Sequence, residues 1–274
     1  MSAAEPASSL TQAMGASNVP PRMELTGHRE FRVASYHIGF RGTARPSAIM
    51  GFLEEAAGEH AMSWKLSIFD LMPRGMTWVL ARYHLKLLRP VRHGEVVDVT
   101  TWPSGRTSVF ATRDFEVAAA DGSPVALAST SWAILDMATK RPINVTDVVP
   151  PEFVLPRRVL GQGFSSLPRL DDTQVQRQVE LPVMRRDLDM NDHVNHIVYA
   201  QWGIESVDPA AVSGLRPTEI EISYRAEARW GDRVVSAMAP TAPPEDAQPP
   251  AFIHRISNAV TGAELARLRT VWGR

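Results

Sequence analysis

Asp189, Asn191 and His193 alternate in a stretch that also holds Asp187, Asp192, Asn195 and His196. An imidazole and a carboxylate in one turn can orient each other and pass a proton, and side-chain amides beside them can polarise a carbonyl. Asp and Asn are also ordinary Asx-turn and capping residues, so on spacing alone the cluster reads equally as a helix start. A His together with a carboxylate is more than a cap requires. His193 and His196 have i, i+3 spacing, but no third ligand stands at regular spacing nearby, so no metal is expected.

The elements on either side say how the cluster is held. Val179 to Val183 reads as a strand, and Ile197, Val198, Trp202 and Ile204 recur at helical spacing, so the polar residues sit where a strand feeds a helix. Asn195 or His193 is placed to cap that helix, and its free N–H groups would point at an approaching carbonyl or anion. An extended turn would throw Asp189, Asn191 and His193 to one side.

Upstream, 32–40 alternates as a strand, and Pro46-Ser47 opens a helix with Ile49, Phe52, Leu53, Ala56, Ala57 and Ala61 on a wide apolar face. Strand signals follow at 77–88, 95–102, 109–118 and 125–135, with turns at His93-Gly94 and Asp121-Gly122. Residues 150–173 carry Pro and Gly without a period and read as a surface linker. The same order then returns. Arg92-His93-Gly94-Glu95 precedes Val96-Val97 as Arg229-Trp230-Gly231-Asp232 precedes Val234-Val235, and Gly122 and Gly262 precede Trp132 and Trp272 by the same interval. Shared order and spacing indicate a duplicated α+β unit, a helix with an antiparallel meander. Only one copy carries the polar cluster, since no Asp, Asn or Glu lies between Tyr36 and Ser47.

With 274 residues, 44% of them hydrophobic, the chain has enough for one large or two small cores. No run of about 18 apolar residues exists to span a membrane. A net charge of −1 gives no overall pull toward nucleic acid. There is no Cys, which removes disulfides and thiol chemistry. Residues 1–26 are rich in Ala, Ser and Pro and read as a disordered tail without the features of a targeting signal, which leaves Met23 as a second candidate start and the cytoplasm as the expected location.

Asp189-x-Asn191-x-His193-Val194-Asn195, with Tyr199, Trp202 and Glu205-Ser206 behind it, resembles the catalytic segment of the plant and bacterial acyl-acyl carrier protein (acyl-ACP) thioesterases. The likeness extends weakly from about Arg32 onward. It implies a tandem hotdog: two helices, each wrapped by an antiparallel sheet, at 27–157 and 175–274, joined by a linker at 158–174. His196 departs from the family, which usually has a second Asn there. The resemblance also nominates Glu227, in Tyr224-Arg225-Ala226-Glu227, as a catalytic carboxylate. Aligning Gly94 on Gly231 places Pro90 against it in the silent copy. Some members carry Cys after this Glu; here Ala228 stands there, so a thiol nucleophile is excluded.

The implied reaction is hydrolysis of a fatty acyl thioester, with no cofactor. Glu227 is assigned as the water-activating base and Asp189 as the group that orients and charges the site, though which of the two is the base stays open. Asn191 and His193 would polarise the carbonyl or hold the water, helped by the backbone at Val194 and Asn195. The silent half is expected to bind the acyl chain through Met50, Phe52 and Met76. Acyl carrier protein, or CoA, would carry the acyl group, with Arg186, Arg185 and Arg89 as candidate contacts to an acidic carrier. A homodimer is compatible with the reading. The alternatives are a hotdog enoyl-thioester hydratase or dehydratase, which typically has Pro after the Asn where Asp192 stands here, and a non-catalytic acyl-binding protein.

Overall fold

The computed structural model describes residues 24–161, 163–241 and 249–274, so the tail expected over 1–26 lies almost wholly outside the described residues. The first strand, β1 (Gly27–Arg32), alternates half-buried and exposed residues along its length. It ends where the sequence suggested a strand beginning: 33–45 instead contains a 3-10 turn at Ser35–His37 and a closed loop. The loop closes because Gly42 adopts φ 75°, a left-handed conformation that Gly takes without steric cost and that ends an extended run. The Gly39 N–H then donates to the Thr43 carbonyl at 2.9 Å.

From that loop the chain enters α1 (Pro46–Ser63), with Pro at its first position. Ile49, Met50, Phe52, Leu53 and Ala56 are buried, while Glu54, Glu55 and Glu59 stay outside. A short helix, α2 (Ile68–Leu71), leads to β2 (Met76–Leu87), β3 (Val96–Arg106), β4 (Ala111–Ala119), β5 (Pro124–Asp136) and the two-residue β6 (Pro142–Ile143). The second half runs β7 (Arg177–Pro182), α3 (His196–Glu205), β8 (Arg216–Tyr224), β9 (Arg233–Pro240), β10 (Ala251–Asn258) and β11 (Glu264–Gly273). The strand bounds read from alternation fall within a few residues of β2 to β5.

All of these strands form one antiparallel sheet in the order β1-β3-β4-β5-β2-β8-β11-β10-β9-β7, with β6 paired to β5. Each half has the same internal order, and the halves join edge to edge where Leu85 of β2 pairs with Ile220 of β8. The duplication extends to single hydrogen bonds. Glu95 accepts from the Arg92 N–H at 2.7 Å, and Asp232 from the Arg229 N–H at 2.8 Å. The indoles of Trp132 and Trp272 donate to Thr130 and Thr270 at 2.9 and 3.1 Å.

α1 and α3 lie side by side on one face of this sheet and share a single core with it. Leu53, Ala56, Val99, Phe115, Val198, Tyr199, Ile222 and Leu268 belong to that core. α3 can lie flat on β11 because Gly203 has no side chain: a Cβ there would come within 2.9 Å of Leu268. The segment after β6 is anchored rather than free. Asp114, fully buried, accepts from Arg158 at 3.2 Å and from the Val159 N–H at 2.8 Å, and the Arg157 guanidinium covers Trp102 at 3.8 Å. Further along, Arg267 and Arg255 donate to the Leu167 and Leu170 carbonyls. The crossing from one half to the other is thereby pinned at both ends, with α1 and α3 held in fixed relation.

Candidate active site

The turn before α3 closes as its counterpart before α1 does. The Asp189 N–H donates to the His193 carbonyl at 2.8 Å, and Asp192 takes the left-handed φ of 60° where the first copy has Gly42. Asp tolerates that conformation better than most non-Gly residues. The stretch is therefore a tight loop, not the extended turn that alternation suggested. Within it, Asp189 accepts from the Asn191 N–H at 2.7 Å, so the carboxylate fixes the backbone that carries the Asn191 amide.

Glu227 follows β8 and reaches this loop from the sheet. His193 Nε2 stands 3.0 Å from Glu227 Oε2. Both are open to substrate, with side chains 24% and 54% exposed. Glu227 and His193 therefore meet at the loop whose backbone also carries Asp189 and Asn191. At the matching positions the first half has Gly39, Arg41, Thr43 and Pro90, held by the same backbone bonds: Ala44 N–H to the Val91 carbonyl mirrors Val194 N–H to the Ala228 carbonyl. The scaffold is duplicated and the chemistry is not.

Tyr199 holds Glu227 in place. Its hydroxyl accepts from the Ala228 N–H at 3.0 Å and donates to the Ala226 carbonyl at 3.3 Å, clamping the backbone on both sides of the glutamate. Burial raises this phenol to about 12, so it stays a hydroxyl able to do both. Tyr199 belongs to the motif read from the sequence, but its role depends on a contact between helix and sheet that spacing does not reveal.

Asn195 is the helix cap: its Oδ1 accepts from the Ile197 N–H at 2.9 Å. The expectation that the Val194 and Asn195 N–H groups polarise a carbonyl is overturned, because both are already donated, to the Ala228 carbonyl at 2.9 Å and the Asp187 carbonyl at 2.8 Å. The Asn191 side-chain amide has no protein partner among the described residues and is one donor available at the turn, while the Asn191 backbone N–H is held by Asp189. His196 turns to Glu54 of α1, Nδ1 to Oε1 3.8 Å, while His193 turns to Glu227, so the two rings do not share a ligand position. Burial lowers His196 to about 4 and keeps it neutral.

The acyl-chain candidates separate. Met50 is fully buried in the core that also contains Val194 and Val198. Phe52 stacks on Phe31 with ring centroids 4.6 Å apart, beside a surface groove of about 530 Å³ that includes His37 and Gly51. Met76 lies in a separate cluster with Leu66, Leu71 and Ile134. Among the cations, Arg186 is 82% exposed and Arg185 covers Trp230 at 4.4 Å. Arg89 is bound to Glu95 at 2.8 Å in the other half and is no free contact. Arg229, 4.0 Å from Glu227, is a mouth cation that the sequence reading passed over although it stands two residues away.

One further cluster has metal-like spacing: His84, Glu219 and Glu221 offer ligand atoms within 4.8 Å of one another. Glu219 already bonds His84 at 2.6 Å and faces Lys86 at 3.5 Å, and Arg269 holds Glu221 at 2.9 Å. Protein cations neutralise these acids, and the network ties β2, β8 and β11 together.

Comparison with known proteins follows the same division into halves. The family model for the acyl-ACP thioesterase N-terminal domain matches residues 24–153, and that for the C-terminal domain matches 170–274. Oleoyl-acyl carrier protein thioesterase 1, chloroplastic, of Arabidopsis thaliana is 27% identical over 278 residues, covering 90% of this chain and 76% of its own. A palmitoyl-acyl carrier protein thioesterase of Cuphea hookeriana is 26% identical over 260 residues, covering 90% and 62%. Among solved structures, the 12:0-ACP thioesterase from Umbellularia californica superposes with a TM-score of 0.81 at 22% identity, covering 92% of this chain and 95% of that one. An acyl-ACP thioesterase from Bacteroides thetaiotaomicron gives 0.77 at 22%, covering 90% and 98%; at such identities these superpositions establish the shared double hotdog fold.

Proposed function

The chain belongs to the acyl-ACP thioesterase family, and from that premise we propose how its second half hydrolyses a fatty acyl thioester. Glu227 takes a proton from water, and the water oxygen adds to the thioester carbonyl. The carbonyl electron pair moves onto oxygen, where the Asn191 amide receives the developing charge. As the tetrahedral intermediate collapses, the C–S bond breaks, Glu227 returns its proton to the departing thiolate, and fatty acid and thiol are released. His193, whose Nε2 lies 3.0 Å from Glu227 Oε2, pairs with the Glu227 carboxylate and keeps it near the position needed for proton transfer. Asp189 fixes the Asn191 backbone and supplies the negative charge of the turn.

The observation that carries this reading is the His193–Glu227 pair at 3.0 Å, present in one repeat and replaced by Thr43 and Pro90 in the other. A thioester is activated enough for a positioned base and water, and without Cys the chain has no thiol to offer as nucleophile. The acyl group is carried by acyl carrier protein, as the names of the relatives say of those proteins, with CoA as the other carrier to test. The first half is assigned to acyl-chain binding. No helix among the described residues is long and apolar enough to cross a membrane. The cytoplasm is retained as the proposed compartment, and the plant relatives are named chloroplastic.

The test is a panel of acyl-ACPs and acyl-CoAs of graded length, alongside an enoyl thioester. Release of free thiol and fatty acid supports the reading. Hydration of the enoyl thioester without hydrolysis would support the hydratase, and tight binding without turnover the acyl-binding protein.

A further inference from the structure

Glu54 belongs to α1, in the half that lacks the catalytic turn, yet its carboxylate stands at the start of α3. Its Oε1 lies 3.8 Å from His196 Nδ1, and Asn195 and Asp189 both face it. α1 and α3 cross closely here: a Cβ on Gly51 would stand 3.9 Å from Ile197 Cδ1, so Glu54, one turn further along α1, is brought level with the first residues of α3. Asn195 spends its Oδ1 on capping Ile197, which leaves its amide N–H groups for the Glu54 carboxylate. The His196 ring is flanked by Tyr83 and Tyr224 at 6.0 and 6.2 Å, and Tyr224 donates to the His196 carbonyl at 3.1 Å.

The duplicated scaffold sharpens the point. The position of α3 that matches Glu54 is Ile204, which packs against an apolar cluster with Val207, Met238 and Trp272. At the position where α1 meets the catalytic turn the chain thus has a carboxylate, and at the matching position of α3 it has an apolar residue. Half of Glu54 remains open, with 44% of its side chain exposed, so it borders the cleft instead of lying in the core. Partial burial raises its pKa, the Asn195 contact opposes that, and the charges of Asp189 and Glu55 add to the rise.

We propose that Glu54 is a positioning residue for the hydrolytic reaction, contributed by the otherwise silent half: it faces the Asn195 amide, packs beside the His196 ring and sets the charge near Asp189. The proposal rests on the hydrolytic reading above. The charged and titratable groups that face Glu54 are Asp189, His196, Glu55 on its own helix, and the phenols of Tyr83 and Tyr224 from the sheet. Both phenols are pushed well above their usual range by burial and stay neutral, which leaves Asp189 as the carboxyl group of the catalytic set that neighbours Glu54.

The experiment compares wild type, Glu54→Gln and Glu54→Asp for kcat, KM and the pH profile of acyl-ACP hydrolysis, together with thermal melts. In Glu54→Gln we expect kcat to fall about tenfold with KM and melting temperature unchanged, the size expected when a supporting group moves a catalytic one slightly. Because burial raises the pKa of Glu54, its own protonation contributes to the acid limb of the profile; removing it should move that limb to lower pH, and Glu54→Asp should restore the wild-type limb. Wild-type kcat and an unshifted limb in Glu54→Gln would overturn the proposal, as would losses of kcat and melting temperature that track each other in both variants. Failure of the wild type to hydrolyse any acyl thioester would instead overturn the underlying reading and this proposal with it, so the two failures are distinguishable.

Discussion

Nε2 of His193 stands 3.0 Å from Oε2 of Glu227, joining a loop at the head of α3 to the segment that follows β8. In the proposed mechanism this contact makes base and orienting ring one unit. His193→Ala and Glu227→Ala should each lower hydrolysis by about 10²-fold or more, and the double variant should lose little beyond the larger single effect. A double-mutant cycle on kcat/KM checks this. Independent, multiplying losses would mean that the two groups act separately.

Carrier recognition should depend on charge at the mouth. Arg186 is 82% exposed, and its one ion pair among the described residues is with Asp187 at 3.9 Å, so reversing its sign disturbs little of the fold. Arg186→Glu should raise KM for acyl-ACP several-fold and leave a short neutral thioester unaffected, because an acidic carrier is steered by surface charge. Equal effects on both substrates would exclude carrier recognition at this position.

The acyl-chain assignment now makes unequal predictions. Met50 shares a core with Val194 and Val198 beside the catalytic turn, whereas Met76 sits in a separate cluster. Met50→Ala should lengthen the preferred acyl chain by one or two two-carbon steps, since each buried methylene is worth about 0.8 kcal/mol. Met76→Ala should lower stability by about 2 kcal/mol or more and keep the profile. Chain-length profiles and melts on both variants decide this, and a shift in Met76→Ala alone would relocate the pocket.

The duplicated meander was legible because strand alternation and the two Gly turns are local, and aligning Gly94 on Gly231 set Glu227 apart from Pro90. The misplaced first strand shows the limit of alternation: the apolar-polar pattern continues past Arg32, but a left-handed Gly42 closes the chain into a loop. The Val194 and Asn195 amides looked free because helix starts leave N–H groups unpaired; their acceptors, Ala228 and Asp187 carbonyls, come from tertiary and loop contacts. Glu54 left no trace at all, since its partners lie on a helix in the other half of the chain and its own helix shows it only as one of several outward acids.

Stability should fall in acid for a reason seated away from the site. His254 is 1% exposed, its ring nitrogens are 3.1 Å from the Ser206 hydroxyl and 2.9 Å from that of Thr270, and burial lowers its pKa to about 3. The unfolded chain takes up this proton below pH of about 6.5 and the folded chain only near 3, so stability present above 6.5 is lost as pH falls through that window. Between pH 7 and 5 this one ring accounts for about 2 kcal/mol. His254→Gln should shrink the drop in unfolding free energy by that amount in denaturant titrations, and parallel pH dependences would remove His254 from the account.

In the proposed mechanism Glu227 activates the water that cleaves the thioester. Single-turnover hydrolysis of acyl-ACP by Glu227→Gln, with enzyme in excess and folding confirmed by an unchanged melt, separates the chemical step from product release. If Glu227 is the base, that rate falls about 10²-fold or more, with acyl-ACP still bound. A Glu227→Gln enzyme that cleaves at the wild-type rate would contradict it and move the base to Asp189.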